Sequence, residues 1–335
     1  MAGPVLDVRG LKTSFGRGTS EVTVVNDVNF DLRAGEIVAL VGESGSGKSV
    51  SALSIMGLLS SNARVKAGEV RFEGQDLARL SSRQMRRLRG DRISMVFQDA
   101  RSSLNPLHRI VTQIVEMLRL HTDATGAAAR KTAHDLLTQV GIVDVDQVLD
   151  SYPHQLSGGM CQRVMIAIAL ACQPSVMLAD EPTTALDVTT QAQILDLMQA
   201  RAAEIGTAVL LITHDLGIVA RYAQRVNVMY AGRIVEQGSV DDVFAAPRHP
   251  YTRGLLDSVP RLDVPKSDRL DVIPGTPPNP ARLPVGCAFR PRCTMAGPGC
   301  EAKQSLRPIP ETDQSVACWR AIEEATQVRA RAVAE

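Results

Sequence analysis

The residues Gly42-Glu43-Ser44-Gly45-Ser46-Gly47-Lys48-Ser49 fit the spacing G-x-x-x-x-G-K-[ST]. Glycines at these places let backbone N–H groups close around phosphate oxygens with no Cβ in the way. Lys48 supplies a cation for the β- and γ-phosphates of a nucleoside triphosphate, and the Ser49 hydroxyl is placed to hold Mg²⁺. The bland alternative is a glycine-rich turn, but the match lies between an apolar run and a helical pattern, the context that a phosphate loop needs. Further on, Val176-Met177-Leu178-Ala179 runs into Asp180 and Glu181. After a phosphate loop, a carboxylate at such a strand end holds Mg²⁺, and the next one can polarise an attacking water. Alone, the same pair would read as a solvated strand end.

Two further groups of residues suggest chemistry. Leu156-Ser157-Gly158-Gly159-Met160 opens an apolar helical stretch, and Ser-Gly-Gly at a helix start is a second anion-binding terminus as well as an ordinary cap. One nucleotide does not need two such termini from one chain, so this one suits a nucleotide held by another subunit. Cys287, Cys293, Cys300 and Cys318 form C-x5-C-x6-C-x17-C in a Pro-rich segment. Four thiolates suit zinc or an iron–sulfur cluster, although the spacing is not that of a C-x-x-C zinc knuckle; four free thiols are the plain alternative. Arg83, Arg86, Arg87, Arg89 and Arg92 form a basic run that reads as a solvated helix face.

The elements that must position these residues alternate. Val5–Val8 and Val22–Val25 are strand-like, and Glu36–Val41 reads as a buried strand feeding Gly42. Ser49–Leu59, Ala127–Val140 and Gln191–Glu204 have helical character, and Val176–Ala179 and Ala208–Ile212 read as buried strands. This alternation predicts an α/β fold with a mostly parallel sheet. The 335 residues would make roughly two domains at about 150 each. Thirteen of the eighteen prolines lie between Pro247 and Pro310, which marks a second, loop-dominated segment. A formal net charge of +1 and 3% aromatics give no footprint for nucleic acid. The longest apolar run, Val164–Cys172, has nine residues against the roughly 20 of a membrane span, and the first ten residues show no signal-peptide core.

The phosphate loop, Gln98, Leu156–Met160, Asp180-Glu181, Ala185-Leu186-Asp187 and His214 follow the order and spacing of ABC-type ATPases, which the chain resembles from residue 5 to about 245. The resemblance implies a P-loop NTPase cassette over residues 1–246, with a helical subdomain inserted at about 100–165. It implies that Phe15 stacks on adenine and that Gly42 to Val50 bind ATP. Gln98 would touch Mg²⁺ and the attacking water, and Asp180 and Ser49 the metal. Glu181, with Lys48, Gln98 and His214, would carry hydrolysis. Ser157–Gly159 and their neighbours Leu156 and Met160 would cap the γ-phosphate across a head-to-tail dimer, with Asp187 at that contact. Narrower wording resembles the ATPase subunits of oligopeptide/dipeptide importers: Val96-Phe97-Gln98-Asp99, Tyr152-Pro153-His154-Gln155, His249-Pro250-Tyr251-Thr252 and Ile273-Pro274-Gly275-Thr276-Pro277-Pro278-Asn279. Cys161 stands where that family usually has Arg, and Thr190 where Val is frequent. This resemblance implies a C-terminal domain over 247–335 with a [4Fe–4S] cluster on the four cysteines, zinc being the alternative. It also implies two transmembrane permeases, an extracytoplasmic peptide-binding protein and a place on the cytoplasmic face of the cell membrane. Nickel or another small solute is an alternative cargo. A soluble ABC ATPase acting on nucleic acid is the rival class, and no basic face, second cassette or coiled-coil insertion speaks for it.

Overall fold

The computed structural model describes residues 3–184, 186–259 and 272–325. Two compact units make up the chain: Met1–Asp7 with Asp31–Ile37 and Arg71–Ile212, and Val8–Phe30 with Val38–Val70 and Thr213–Glu335.

In the first unit, strands Ile93–Val96, Val176–Asp180 and Ala208–Thr213 run parallel, with Val96 opposite Ala179 and Asp180 opposite Ile212. Every residue of Ile93–Val96 and Val176–Asp180 is buried. That is why they read as continuous apolar runs, since a parallel strand is covered on both faces. Helices Gly158–Leu170 and Val188–Ile205 belong to this layer. The second ends at Gly206, which takes the left-handed φ of 71° that closes a helix most cheaply in glycine. Helices Ala100–Ser103, Ile110–His121, Gly126–Gln139 and Val145–Asp150 form a cluster against Gly158–Leu170. Their buried residues recur at helical spacing, Ile110, Ile114 and Leu118 on one and Ala129, Ala133 and Leu137 on the next.

In the second unit, Ile37–Val41 pairs in parallel with Arg225–Tyr230, and Arg233–Ser239 returns antiparallel to it. Leu6–Phe15 and Val22–Leu32 are much longer strands than expected. Gly10 and Asp27 sit inside them at φ 59° and 68°. The Pro-rich segment is also more integrated than its composition suggests. Ser315–Val316 adds to the sheet, with Val316 opposite Glu236. Tyr230, Tyr251 and Phe289 form a buried aromatic cluster with ring centroids 4.6 to 5.4 Å apart. Among the described residues no helix is long and apolar enough to cross a membrane.

Candidate nucleotide site

The candidate residues fall into two groups, one in each unit. In the second unit, the buried strand Ile37–Val41 delivers the chain to Gly42, and the helix Lys48–Met56 begins six residues later. Gly47 caps that helix at φ 107°. A Cβ there would lie 2.8 Å from Met229 Cε and 3.0 Å from the Val24 carbonyl oxygen, so neither the backbone angle nor the space admits another residue. Lys48 is buried, and its Nζ donates to the carbonyls of Gly42 (2.7 Å) and Glu43 (3.1 Å). The ammonium is therefore held against its own loop, a pre-positioned cation for a phosphate chain. Ser49 and Val50 follow in the first turn of the helix. Phe15 is half-buried at the end of Leu6–Phe15. His214 is exposed, just past the buried Thr213, and Asp215 caps the following helix by accepting from Gly217 N (2.8 Å) and Ile218 N (3.3 Å).

In the first unit, the parallel strands bring Gln98 and Glu181 together although 83 residues separate them. Gln98 Nε2 donates to Glu181 Oε2 at 3.0 Å. Thr184 Oγ1 donates to the same oxygen at 2.8 Å, a contact that no motif announced. Glu181 sits at φ 45°, a left-handed conformation that costs a non-glycine residue roughly 1–2 kcal/mol. Its N–H is fixed on the Ile212 carbonyl at 2.9 Å. The strained backbone thus aims a doubly held carboxylate. Asp180, the last residue of its strand, is buried.

Ser157 caps the helix Gly158–Leu170 by accepting from Met160 N at 3.2 Å, and Leu156 is buried behind it. Asp187 caps Val188–Ile205, accepting from Thr190 N (3.0 Å) and Thr190 Oγ1 (2.7 Å). Those bonds hold the Asp187 carboxyl below its usual range. A Cβ on Gly159 would come within 3.2 Å of Thr190 Cγ2, so the start of one helix is built against the start of the other. The hydroxyl of Thr190 makes a bond that the Val frequent in the family could not. Cys161 is fully buried, its Sγ donating to the Pro153 carbonyl at 3.5 Å, and burial pushes its thiol up. Ala185 lies outside the described residues. The basic run lies on and just after Ser82–Leu88, a helix with a Ser81/Gln84 capping box, ahead of the strand that leads to Gln98.

The four tail cysteines converge on one small cavity of ≈ 20 Å³, walled also by Phe289, Met295 and Trp319. Cys287 N donates to the Cys300 carbonyl at 2.9 Å. Burial pushes the Cys287 and Cys293 thiols up, and the nearby Cys318 and Cys300 add to this. Among the described residues, no three His, Cys, Asp or Glu side chains approach closely enough to hold a single metal ion. A single-ion site, the zinc alternative, is therefore not met by these four side chains as they stand.

Two family models match the chain. "ABC transporter" matches residues 25–184, and "Oligopeptide/dipeptide transporter, C-terminal region" matches residues 235–300. A probable peptide ABC transporter ATP-binding protein of Sinorhizobium fredii is 50% identical over 95% of this chain and 96% of its own length. The oligopeptide transport ATP-binding protein OppD of Salmonella typhimurium is 47% identical over 96% of both. The chain belongs to the oligopeptide/dipeptide family of ABC transporter ATP-binding proteins. It is an ATPase of that family, with ATP and Mg²⁺ as the expected ligands. Among solved structures, the ATP-binding cassette MJ0796, seen as a dimer bound to ADP and phosphate, is similar at a TM-score of 0.63 and 28% identity, covering 70% of this chain and 98% of that one.

Proposed function

We propose that this chain hydrolyses ATP to drive peptide import through a membrane complex. The match of residues 235–300 to the oligopeptide/dipeptide transporter region carries the cargo assignment, because that region is additional to the cassette. Gly42 to Val50 would cradle the triphosphate, with Phe15 against the adenine. Lys48 would offset the charge that builds on the phosphoryl oxygens. Ser49, Asp180 and Gln98 suit Mg²⁺: a hydroxyl, a carboxylate and an amide oxygen are hard donors. The ion, when bound, neutralises phosphate charge. Glu181 would orient the attacking water and draw on its proton as the water oxygen bonds to the γ-phosphorus. The bond to the β-phosphate oxygen breaks, leaving ADP and phosphate. His214 would steady the γ-phosphate.

The functional form would be a head-to-tail pair of cassettes, this chain with a copy or a relative. Leu156–Met160 would face the nucleotide on the partner, and Asp187 would lie at the contact. Residues 1–246 would be the cassette. Its helical part, about 100–165, would sit against two transmembrane permeases on the cytoplasmic face of the membrane, with an extracytoplasmic binding protein supplying peptide. Residues 247–335 would form the C-terminal domain. The four cysteines suit a [4Fe–4S] cluster because they share one cavity. The indole N–H of Trp319, which walls it, and the Nε–H of the adjoining Arg320 are both buried without an acceptor among the described residues. Anionic sulfur would supply acceptors that the protein does not. Such a group would tie the tail together. The test of the proposal is labelled-peptide uptake by vesicles carrying the assembled transporter. Uptake that needs this chain, and that is lost with Glu181→Gln, supports it, and uptake that persists with that variant opposes it.

A further inference from the structure

Glu43, the second residue of the phosphate loop, has every polar group committed within the second unit. Its carbonyl accepts from Lys48 Nζ at 3.1 Å. Its N–H donates to Tyr251 Oη at 2.8 Å, so this amide faces the tail segment and not a phosphate. Its carboxylate takes a two-pronged ion pair from Arg292, with Nη1 to Oε2 at 2.7 Å and Nη2 to Oε1 at 2.9 Å. Arg292 is 249 residues away in sequence, and its side chain is only 6% exposed. Nε donates to the Pro274 carbonyl (2.8 Å), Nη1 also reaches Tyr230 Oη (3.3 Å), and the guanidinium lies over the Tyr230 and Phe289 rings. The guanidinium is thus fixed from several sides before it meets the loop.

A carboxylate in the phosphate loop, on the residue whose backbone carbonyl holds Lys48, works against a polyanionic ligand unless something cancels it. Lys48 can serve phosphates fully only if Glu43 does not compete for its charge. We propose that Arg292 is a positioning residue for nucleotide binding: it neutralises Glu43 and, with Tyr251, anchors the outer side of the phosphate loop to the tail segment. ATP affinity in this chain then depends on a residue outside the cassette motifs. The inference rests on reading Gly42–Ser49 as the ATP-phosphate cradle.

The test is calorimetric titration of the full chain with MgATP, for the parent, Arg292→Met, and Arg292→Met combined with Glu43→Gln. Loss of the compensating charge at a nearly buried pair is expected to weaken MgATP binding about tenfold. Removing the stranded carboxylate in the double variant should restore affinity to within about threefold, a rescue that a merely structural role of Arg292 would not give. The single-variant defect should also shrink as salt rises. If Arg292→Met gives no soluble protein, Arg292→Lys, which keeps the charge but loses the fork, is compared with and without Glu43→Gln in the same way. A parent that does not bind MgATP would overturn the cradle reading itself. A parent that binds, beside a single variant of equal affinity or a double variant without rescue, would overturn the role of Arg292 alone.

Discussion

Thr184→Val removes the Thr184 hydroxyl from Glu181 Oε2, and with it the same hydroxyl's longer contact of 3.3 Å to the Glu181 carbonyl. The lost bond is 2.8 Å long and ends on a carboxylate, while the Gln98 bond of 3.0 Å remains. Bonds to charged groups contribute about 1.5–3 kcal/mol when sheltered. Thr184 is exposed, so water replaces part of the loss and about 1 kcal/mol is the reasonable figure. Spent on orienting the water, that is roughly a fivefold fall in kcat, since 1.36 kcal/mol is tenfold. Thr184→Ser keeps the hydroxyl and should retain most activity. The assay is steady-state phosphate release over a range of ATP concentrations, with ATP affinity measured separately. On the role proposed for Glu181 the contact acts in the transition state, so kcat should fall while affinity holds. A valine variant with the parental kcat, or one changed only in ATP affinity, would refute the assignment of Thr184 as the second support of Glu181.

Replacing Cys287, Cys293, Cys300 or Cys318 with Ser should lower the melting temperature before it lowers kcat, by about 2–4 °C for each kcal/mol lost. Anaerobically purified protein should be brown and contain iron and sulfide; one equivalent of zinc would replace the cluster with a zinc site, and neither metal would remove both readings. His249 is buried, and burial, with Arg253 adding to it, pushes its imidazole down to about 3. Its contribution to stability is therefore complete above the unfolded value near 6.5 and is lost as pH falls from about 6.5 towards 3, at a slope approaching about 1.4 kcal/mol per pH unit. Glu236, whose carboxyl burial pushes up, accepts from His249 N at 2.9 Å and acts with the opposite sign. The comparison is therefore parent against His249→Asn in chemical denaturation from pH 7.5 to 4.5, where the stability of the parent relative to the variant should fall as pH drops below about 6.5.

The parts of this molecule legible in the sequence are those whose chemistry is local. The phosphate loop needs glycine because Gly47 stands at φ 107° with Met229 and the Val24 carbonyl against it. The wholly buried strand Val176–Asp180 announces itself by its apolar run. What stayed hidden depends on distant partners. Gln98 and Glu181 share a bond only because their strands are adjacent. Thr184 was visible in the string Asp180–Asp187, but its use was not. In the sequence, His249 and Tyr251 stand out only as family wording. In the structure, His249 Nδ1 caps its helix by accepting from Tyr251 N at 3.1 Å, and the Tyr251 hydroxyl holds the phosphate loop. Arg292 gave no signal, since its partner lies 249 residues away. The tail's composition concealed Ser315–Val316, because a two-residue strand has no periodicity to detect.

The central claim, that Glu181 turns bound ATP into transport, is tested most directly by measuring ATP consumption and labelled-peptide uptake together in the same vesicles. With Glu181→Gln, the amide cannot draw on the proton of the attacking water. ATP should stay bound and unhydrolysed, phosphate release should fall by two orders of magnitude or more, about 10²-fold for a lost general base, and uptake should stop. Phosphate release and uptake at the parental rates with Glu181→Gln would contradict the account.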